Sequence, residues 1–167
     1  MTAPALTHEE LLTLSPCTDS YARVTKLLGG AKKWNGAKIS AAHARTAGAT
    51  FDDIIWVASA IARSNPDVER RLRLWMADCA ARVLHIYERN YPTDDRPRNA
   101  IVATRQFARE EIGAAARAAA RAAAGDAAGD AAGDAEKAWQ FDCLIERLGD
   151  NEPTDYPLPI QSKAEAA

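Results

Sequence analysis

The stretch PDVERRLRLWMADCAARVLHIYERN, residues 66–90, carries the clearest helical periodicity in this chain of 167 residues. Asn65 and Pro66 place a capping residue before a proline at the first helical position, which indicates where the helix begins. Apolar residues then recur three and four positions apart, within about a third of the helical circle. They are Leu72, Trp75, Met76, Cys79, Val83, Ile86 and Tyr87. The pattern predicts a helix over 66–90 that packs on the core through this apolar stripe.

Helix signals recur on both sides of this stretch, whereas the alternation typical of strands is almost absent. The predicted helices cover 7–14, 17–28, 39–47, 51–61 and 66–90, and a further helix begins at Pro97. We therefore expect an all-α fold, a single-domain helical bundle over residues 1–149. It has a long alanine-rich C-terminal helix that ends at Gly149, and residues 150–167 are expected to be a flexible, disordered tail.

Residues 113–135, GAAARAAARAAAGDAAGDAAGDA, repeat every four positions. On a helix such positions lie nearly above one another, so Gly and Arg form one stripe and Asp forms the next. Alanine covers the other sides and would let a second helix approach closely. Whether this helix is continuous with the preceding one across 110–113 is left open by the sequence.

The charged stripes have two interpretations. Either they are solvated or paired within the chain's own bundle, or they form a face toward another macromolecule. On the second interpretation the candidate partner-binding residues are Arg117, Arg121, Asp126, Asp130 and Asp134, together with Trp34 in a predicted exposed loop at 31–38.

The motif Asp94-Asp95-Arg96-Pro97-Arg98 also has two interpretations. In the structural one, Asp94 and Asp95 cap the helix that starts at Pro97, and Arg96 and Arg98 pair with Asp78 or Glu88 of the preceding helix. Asp78 and Arg82 are expected to form an ion pair four residues apart. In the other interpretation the helix start is an anion-binding pocket. Its donors would be Arg96, Arg98, Arg105 and Arg109.

Composition excludes several function classes. The formal net charge of −2 gives no global attraction to nucleic acid or to an anionic membrane. There is no long apolar run and no signal-peptide pattern, so a cytoplasmic protein is expected. Cys17, Cys79 and Cys143 are widely spaced, which argues against a disulfide framework and a zinc site. No common catalytic or phosphate-binding motif is present, so the sequence predicts no catalytic residue, metal or cofactor, and no enzyme.

Four segments carry a resemblance to a known family: SPCTDSYARV (15–24), FDDIIWVASAI (51–61), ADCAARVLHIYERNYPTDDRPRNAI (77–101) and the arginine–alanine repeats. Over residues 15–148 the chain resembles the alanine-rich, all-helical putative immunity proteins of bacteria and phages. It departs from them at Glu110-Glu111, where the family usually has a Gly-Glu turn.

The resemblance implies a stoichiometric binder that occludes a toxin, an effector or a host defence protein. We therefore expect a non-enzymatic inhibitor of the immunity or phage counter-defence type. Two alternatives stay open at this stage. One is a binder that sequesters a phosphorylated signalling nucleotide through the arginine cluster at 96–109. The other is a structural module that forms homo-oligomers through the small-residue stripe.

Overall fold

The computed structural model describes residues 3–34, 36–113, 134–151 and 153–160. Within these ranges the chain forms eight α-helices and two very short β-strands, so the predicted all-α fold class is confirmed. The helices are α1 (His8–Thr13), α2 (Thr18–Leu27), α3 (Ala31–Trp34), α4 (Ala41–Thr46), α5 (Phe51–Ala62), α6 (Pro66–Asn90), α7 (Arg96–Ala108) and α8 (Asp134–Arg147). The strands are β1 (Ala5–Leu6) and β2 (Ile39–Ser40).

The chain divides into two compact units. Unit 1 comprises Met1–Leu72 and Phe141–Pro153, and unit 2 comprises Arg73–Gln140 and Thr154–Ala167. The single domain predicted over 1–149 and the tail predicted over 150–167 remain predictions. Each unit is described by itself below.

Helix starts in unit 1 follow local capping chemistry. The side chains of Thr7 and Thr50 each accept a hydrogen bond from the backbone N–H of the third residue of the following helix. The carboxylate of that residue in turn accepts a hydrogen bond from the backbone N–H of the threonine. These two reciprocal capping boxes confirm the starts predicted for α1 and α5. The helix predicted over 39–47 begins later, at Ala41, because Ile39 and Ser40 pair antiparallel with Leu6 and Ala5.

Trp34 corrects a prediction. The segment 31–38 was expected to be an exposed loop with Trp34 as a partner contact, but Trp34 ends α3 and is only 4% exposed. Its Nε1 donates to the carbonyl of Leu6 at 3.3 Å, and its ring centroid lies 5.4 Å from that of His8. A side chain with so little free surface is not available to a partner in this conformation.

The buried face of α6 also differs from the predicted stripe. Leu72 is buried as expected, but Met76 and Ile86 are 50% and 40% exposed. The residues of α6 that are buried in unit 2 are instead Leu74, Ala77, Asp78, Ala81 and Leu84. Small alanine side chains on this face permit close packing, which an assignment by apolar side-chain size overlooks. Ala77, Ala81 and Leu84 form the unit 2 core with Ile101 of α7.

Helix α7 ends at Ala108, so it does not continue across residues 110–113, a point that the sequence left open. Glu110 has a φ of 62°, and the Glu111 backbone N–H donates to the carbonyl of Gln106 at 2.8 Å. This six-to-one hydrogen bond is the one made by a Schellman C-cap, whose left-handed position is usually occupied by glycine. The chain therefore leaves α7 before Gly113.

The C-terminal segment is irregular but held in place. Residues 154–160, called the strap below, have no regular secondary structure, as predicted for this region. Yet Tyr156 and Leu158 are partly buried and pack against the unit 2 core. Residues 161–167 lie outside the described residues, as do residues 114–133 and with them Arg117, Arg121, Asp126 and Asp130. Asp134 is described only as the first residue of α8.

Candidate functional site

The corner between α6 and α7 is organised by Asp94. Its carboxylate accepts hydrogen bonds from the backbone N–H of Arg96 at 3.1 Å, from Arg96 Nε at 2.8 Å and from the Tyr87 hydroxyl at 2.6 Å. The Arg96 side-chain bond, followed by the Tyr87 bond, lowers the pKa of Asp94 well below its usual range. The bond to Asp94 also raises the pKa of Tyr87. Asp95 stands at the N-cap position without a capping bond from its side chain. Of the two predicted capping residues, it is therefore Asp94 whose side chain accepts a backbone N–H at the start of α7.

Arg98 ties α7 to α6. Its Nε and Nη2 donate to the two carboxylate oxygens of Glu88, both at 2.8 Å, and Nη2 also donates to the carbonyl of Pro159 at 2.7 Å. A two-pronged guanidinium–carboxylate contact of this kind fixes orientation as well as charge. The predicted pairing of Arg98 with Glu88 is confirmed, whereas Arg96 pairs with Asp94 of its own corner.

A buried ion pair lies at the centre of unit 2. Asp78 is 2% exposed and Arg105 is 8% exposed, and Arg105 Nη2 donates to Asp78 Oδ1 at 2.9 Å. Both groups also bind the backbone of Tyr156: Asp78 accepts from its N–H at 2.9 Å, and Arg105 donates to its carbonyl at 2.6 Å. The strap thus adds two backbone hydrogen bonds to a buried pair.

Arg82 has a partner other than the one expected. It donates through Nε to Glu136 of α8 at 2.7 Å, and its guanidinium lies 4.4 Å from the centroid of the Trp139 ring. The bond to Glu136 raises the pKa of Arg82. Asp78 forms its ion pair with Arg105 of α7, rather than with Arg82 one turn further along α6.

The predicted anion pocket does not stand open. Arg96, Arg98 and Arg105 donate to Asp94, Glu88 and Asp78, and Arg109 donates to Asp155 of the strap at 2.6 Å. Each of the four arginines is therefore neutralised by a carboxylate of the chain. A phosphate would have to displace these carboxylates, and three of the contacts also hold helices or the strap together.

The α6 face, defined as Met76, Cys79, Val83, Ile86 and Tyr87, is the apolar surface that unit 2 leaves partly open. At 3.6 residues per turn these side chains fall within an arc of about 100°. Met76 and Ile86 are the most exposed, and the other three are partly buried. Arg89, three residues after Ile86 and one turn along the helix, is exposed as well. An apolar stripe with a basic residue at its edge is typical of a protein-binding surface.

Unit 1 has a second surface with an exposed aromatic side chain. A groove of about 440 Å³ is lined by Cys17, Tyr21, Arg23, Asp53 and Trp56, among others. Trp56 is 40% exposed, and the Arg23–Asp53 ion pair forms part of the lining. Hydrogen bonds with Ser20 lower the pKa of the Cys17 thiol. Nothing in this groove is arranged as a catalytic constellation.

Sequence reasoning missed the strap. The prolines at 153, 157 and 159 and the lack of helical period in this part of the sequence suggested a free tail. A usable signal was nevertheless present, because Tyr156 and Leu158 are spaced by two. In an extended chain such residues lie on the same side and can pack together on one surface.

Two further properties concern only the part of the chain that the structure describes. No group of three or more His, Cys, Asp and Glu side chains there is placed to hold a metal ion. None of the described helices combines the length and the apolar character needed to cross a membrane.

Comparison with known proteins gives one match. The family model described as "Imm-5 like putative immunity protein" matches residues 62–141, which include α6 and α7. No curated protein matches the chain, and no solved structure does. The predicted resemblance is thus confirmed over the segment that contains the Asp94 corner, the buried Asp78–Arg105 pair and the α6 face. Residues 62–141 of this chain belong to the family of Imm-5 like putative immunity proteins.

Proposed function

We propose that this protein is a non-enzymatic immunity protein that binds a protein partner stoichiometrically through the α6 face. Membership in an immunity-protein family supports a protein partner such as a toxin. The partner would be a bacterial toxin, an effector or a defence protein whose functional surface is covered in the complex.

The observation that carries the proposal is the exposure of the α6 face. Met76 and Ile86 expose 50% and 40% of their surface although they belong to the most regular apolar stripe in the sequence. Transfer of apolar surface from water into an interface is favourable by about 25 cal/mol per Å². A helix that retains such a stripe after folding gains this free energy when a partner covers it.

The partner's chemistry follows from the edge of the α6 face. Arg89 is exposed one turn from Ile86, so a carboxylate at the edge of the partner's apolar surface would complement it. The partner surface is therefore expected to be apolar at its centre and acidic at its edge.

The nucleotide-sequestering alternative receives no support from the described residues, because Arg96, Arg98, Arg105 and Arg109 all bind carboxylates of the chain. The oligomerisation alternative depends on the repeats at 113–135, of which residues 114–133 are outside the described ranges. It remains a prediction, as does the partner-binding role of Arg117, Arg121, Asp126, Asp130 and Asp134.

The test uses the protein encoded next to this chain in its genome, expressed in a sensitive host with and without the chain. Ile86→Asp is expected to abolish protection and co-purification while leaving thermal stability nearly unchanged, because Ile86 is already partly in water. Val102→Asp is the matched control, since Val102 is 36% exposed on a different helix, α7.

A second variant reverses the charges of Arg117, Arg121, Asp126, Asp130 and Asp134. If this variant loses protection and Ile86→Asp retains it, the repeat and not the α6 face is the binding surface. If the wild-type chain neither protects the host nor binds the neighbouring protein, the immunity function itself is refuted for that pair.

A further inference from the structure

We propose that unit 2 contains a peptide-binding groove, occupied by the strap within the same chain, which also accepts an extended acidic–aromatic segment of another protein. The groove is formed by side chains of α6, α7 and α8 that contact residues 154–160. This site is separate from the α6 face, and the proposal does not depend on the immunity function.

The groove binds the backbone of its occupant. Asp78 and Arg105 bind the N–H and the carbonyl of one residue, Tyr156, at 2.9 and 2.6 Å. Arg98 donates to the carbonyl of Pro159, three residues further on. Main-chain hydrogen bonds of this kind hold any extended segment and are common in peptide recognition.

Side-chain contacts give the groove its selectivity. Arg109 Nη2 lies 2.6 Å from Asp155 Oδ1, so a carboxylate is favoured at this position. The Trp139 ring meets the Tyr156 ring edge-on with centroids 5.2 Å apart, which favours an aromatic residue next. Leu158 packs against the core formed by α6 and α7. The preferred ligand therefore has a carboxylate, then an aromatic residue, then an apolar residue two positions later.

The strap leaves one buried hydrogen-bond donor of the groove without an acceptor, so a different segment could bind there more favourably. Arg105 Nε is buried and has no hydrogen-bond partner, and its distance to Asp155 Oδ2 is 3.4 Å. A buried donor without an acceptor is unfavourable. A segment that brings a carboxylate closer to Nε would satisfy this donor and could displace the strap.

Displacement must overcome the high local concentration of the strap. A tethered ligand competes at an effective concentration in the millimolar range. A free peptide is therefore expected to bind the wild-type chain weakly, and a chain with a weakened strap much more tightly. This difference is the quantity to measure.

The probe is a fluorescent synthetic peptide with the sequence of residues 153–160, PTDYPLPI. It is titrated by fluorescence anisotropy into the full chain and into the full-chain variant Asp155→Asn/Tyr156→Ala. We expect the variant to bind the peptide at least about ten-fold more tightly than the wild type does. Adding Arg109→Gln to the variant should weaken binding by about ten-fold, because the contact to the peptide carboxylate is lost. Arg63→Gln in the same background is the matched control, since Arg63 is exposed outside the groove, and it should leave binding unchanged.

A measurement on the unmodified chain covers the case in which the double variant does not fold. In hydrogen exchange under native conditions, the amide of Tyr156 should exchange faster than the amides of buried α6 residues such as Leu84. Equal rates would mean that the strap opens only on global unfolding, and would overturn the proposal. Absence of peptide binding to a folded double variant would do the same, and so would a peptide-independent dimer, because the strap would then be exchanged between two copies.

Discussion

Removal of the Asp78 carboxylate is expected to destabilise the protein strongly. Asp78 and Arg105 are 2% and 8% exposed and lie 2.9 Å apart. Asp78→Ala would leave the Arg105 guanidinium buried beside Asp155 as its remaining carboxylate, and the Tyr156 N–H would lose its acceptor. Breaking one side of a buried ion pair typically costs about 3–5 kcal/mol. Since domains of ordinary stability unfold with about 5–15 kcal/mol, the variant should fold but with a much lower denaturation midpoint.

Comparison with Asp78→Asn separates charge from hydrogen bonding. The amide oxygen of asparagine can still accept from Tyr156 and Arg105, so we expect a loss of about half that of Asp78→Ala. In a double-mutant cycle, Asp78→Ala with Arg105→Met should cost less than the sum of the two single changes, by at least about 1 kcal/mol. The reason is that the second change removes the buried charge that has lost its Asp78 partner in the first.

The assay is urea unfolding followed by far-UV circular dichroism at neutral pH. Glu111→Ala is the control, because Glu111 is exposed outside any helix and its replacement should change the unfolding free energy by less than about 0.5 kcal/mol. Our reasoning would be refuted if Asp78→Ala cost less than about 1 kcal/mol, or if the two single changes were additive.

Three further predictions use the same assay. Leu84→Ala should cost about 2–4 kcal/mol, since Leu84 is 3% exposed, whereas Met76→Ala should cost less than about 1 kcal/mol; the reverse order would restore the predicted stripe. Glu110→Gly should stabilise the protein by about 1 kcal/mol, because the left-handed backbone with a φ of 62° disfavours a side chain. A loss of stability would show that the backbone of Glu110 is not strained. The folded-state pKa of Asp94 lies below its unfolded value, so its stabilisation is complete above about pH 4 and is lost as the pH falls through the folded-state pKa. The difference in urea midpoint between wild type and Asp94→Asn should therefore be nearly constant above about pH 5 and shrink as the pH falls from about 4 to about 2, and a difference that stays constant down to about pH 2 would exclude this linkage.

Much of the local structure could be read from residues close together in the chain. The capping boxes of α1 and α5 depend on side chains three residues apart. The start of α6 at Pro66 and its length to Asn90 match the prediction made from capping and periodicity. The contact of Arg98 with Glu88 also joins residues only ten apart, across a single corner. Such interactions join residues at most about ten positions apart in the chain, and so a local sequence pattern can predict them.

The candidate site was predictable only in part. Its residues were named, but the role expected for several of them was different. Arg105 and Arg109 were candidate donors for a phosphate, yet their acceptors are Asp78 and Asp155, which lie 27 and 46 positions away. Which carboxylate meets which arginine depends on how distant segments pack, and no local pattern encodes that distance.

Most helix positions, most caps and the all-α class follow from the order of residues alone, because backbone hydrogen bonds and caps are satisfied within a few positions of each residue. The face of α6 that is buried depended on packing. The alanines and Asp78 became core because α7 and the strap approach that side, while the larger Met76 and Ile86 stayed exposed. Burial is a property of neighbours brought together by the whole fold, and for this chain those neighbours include residues 154–160, whose sequence resembles a free tail.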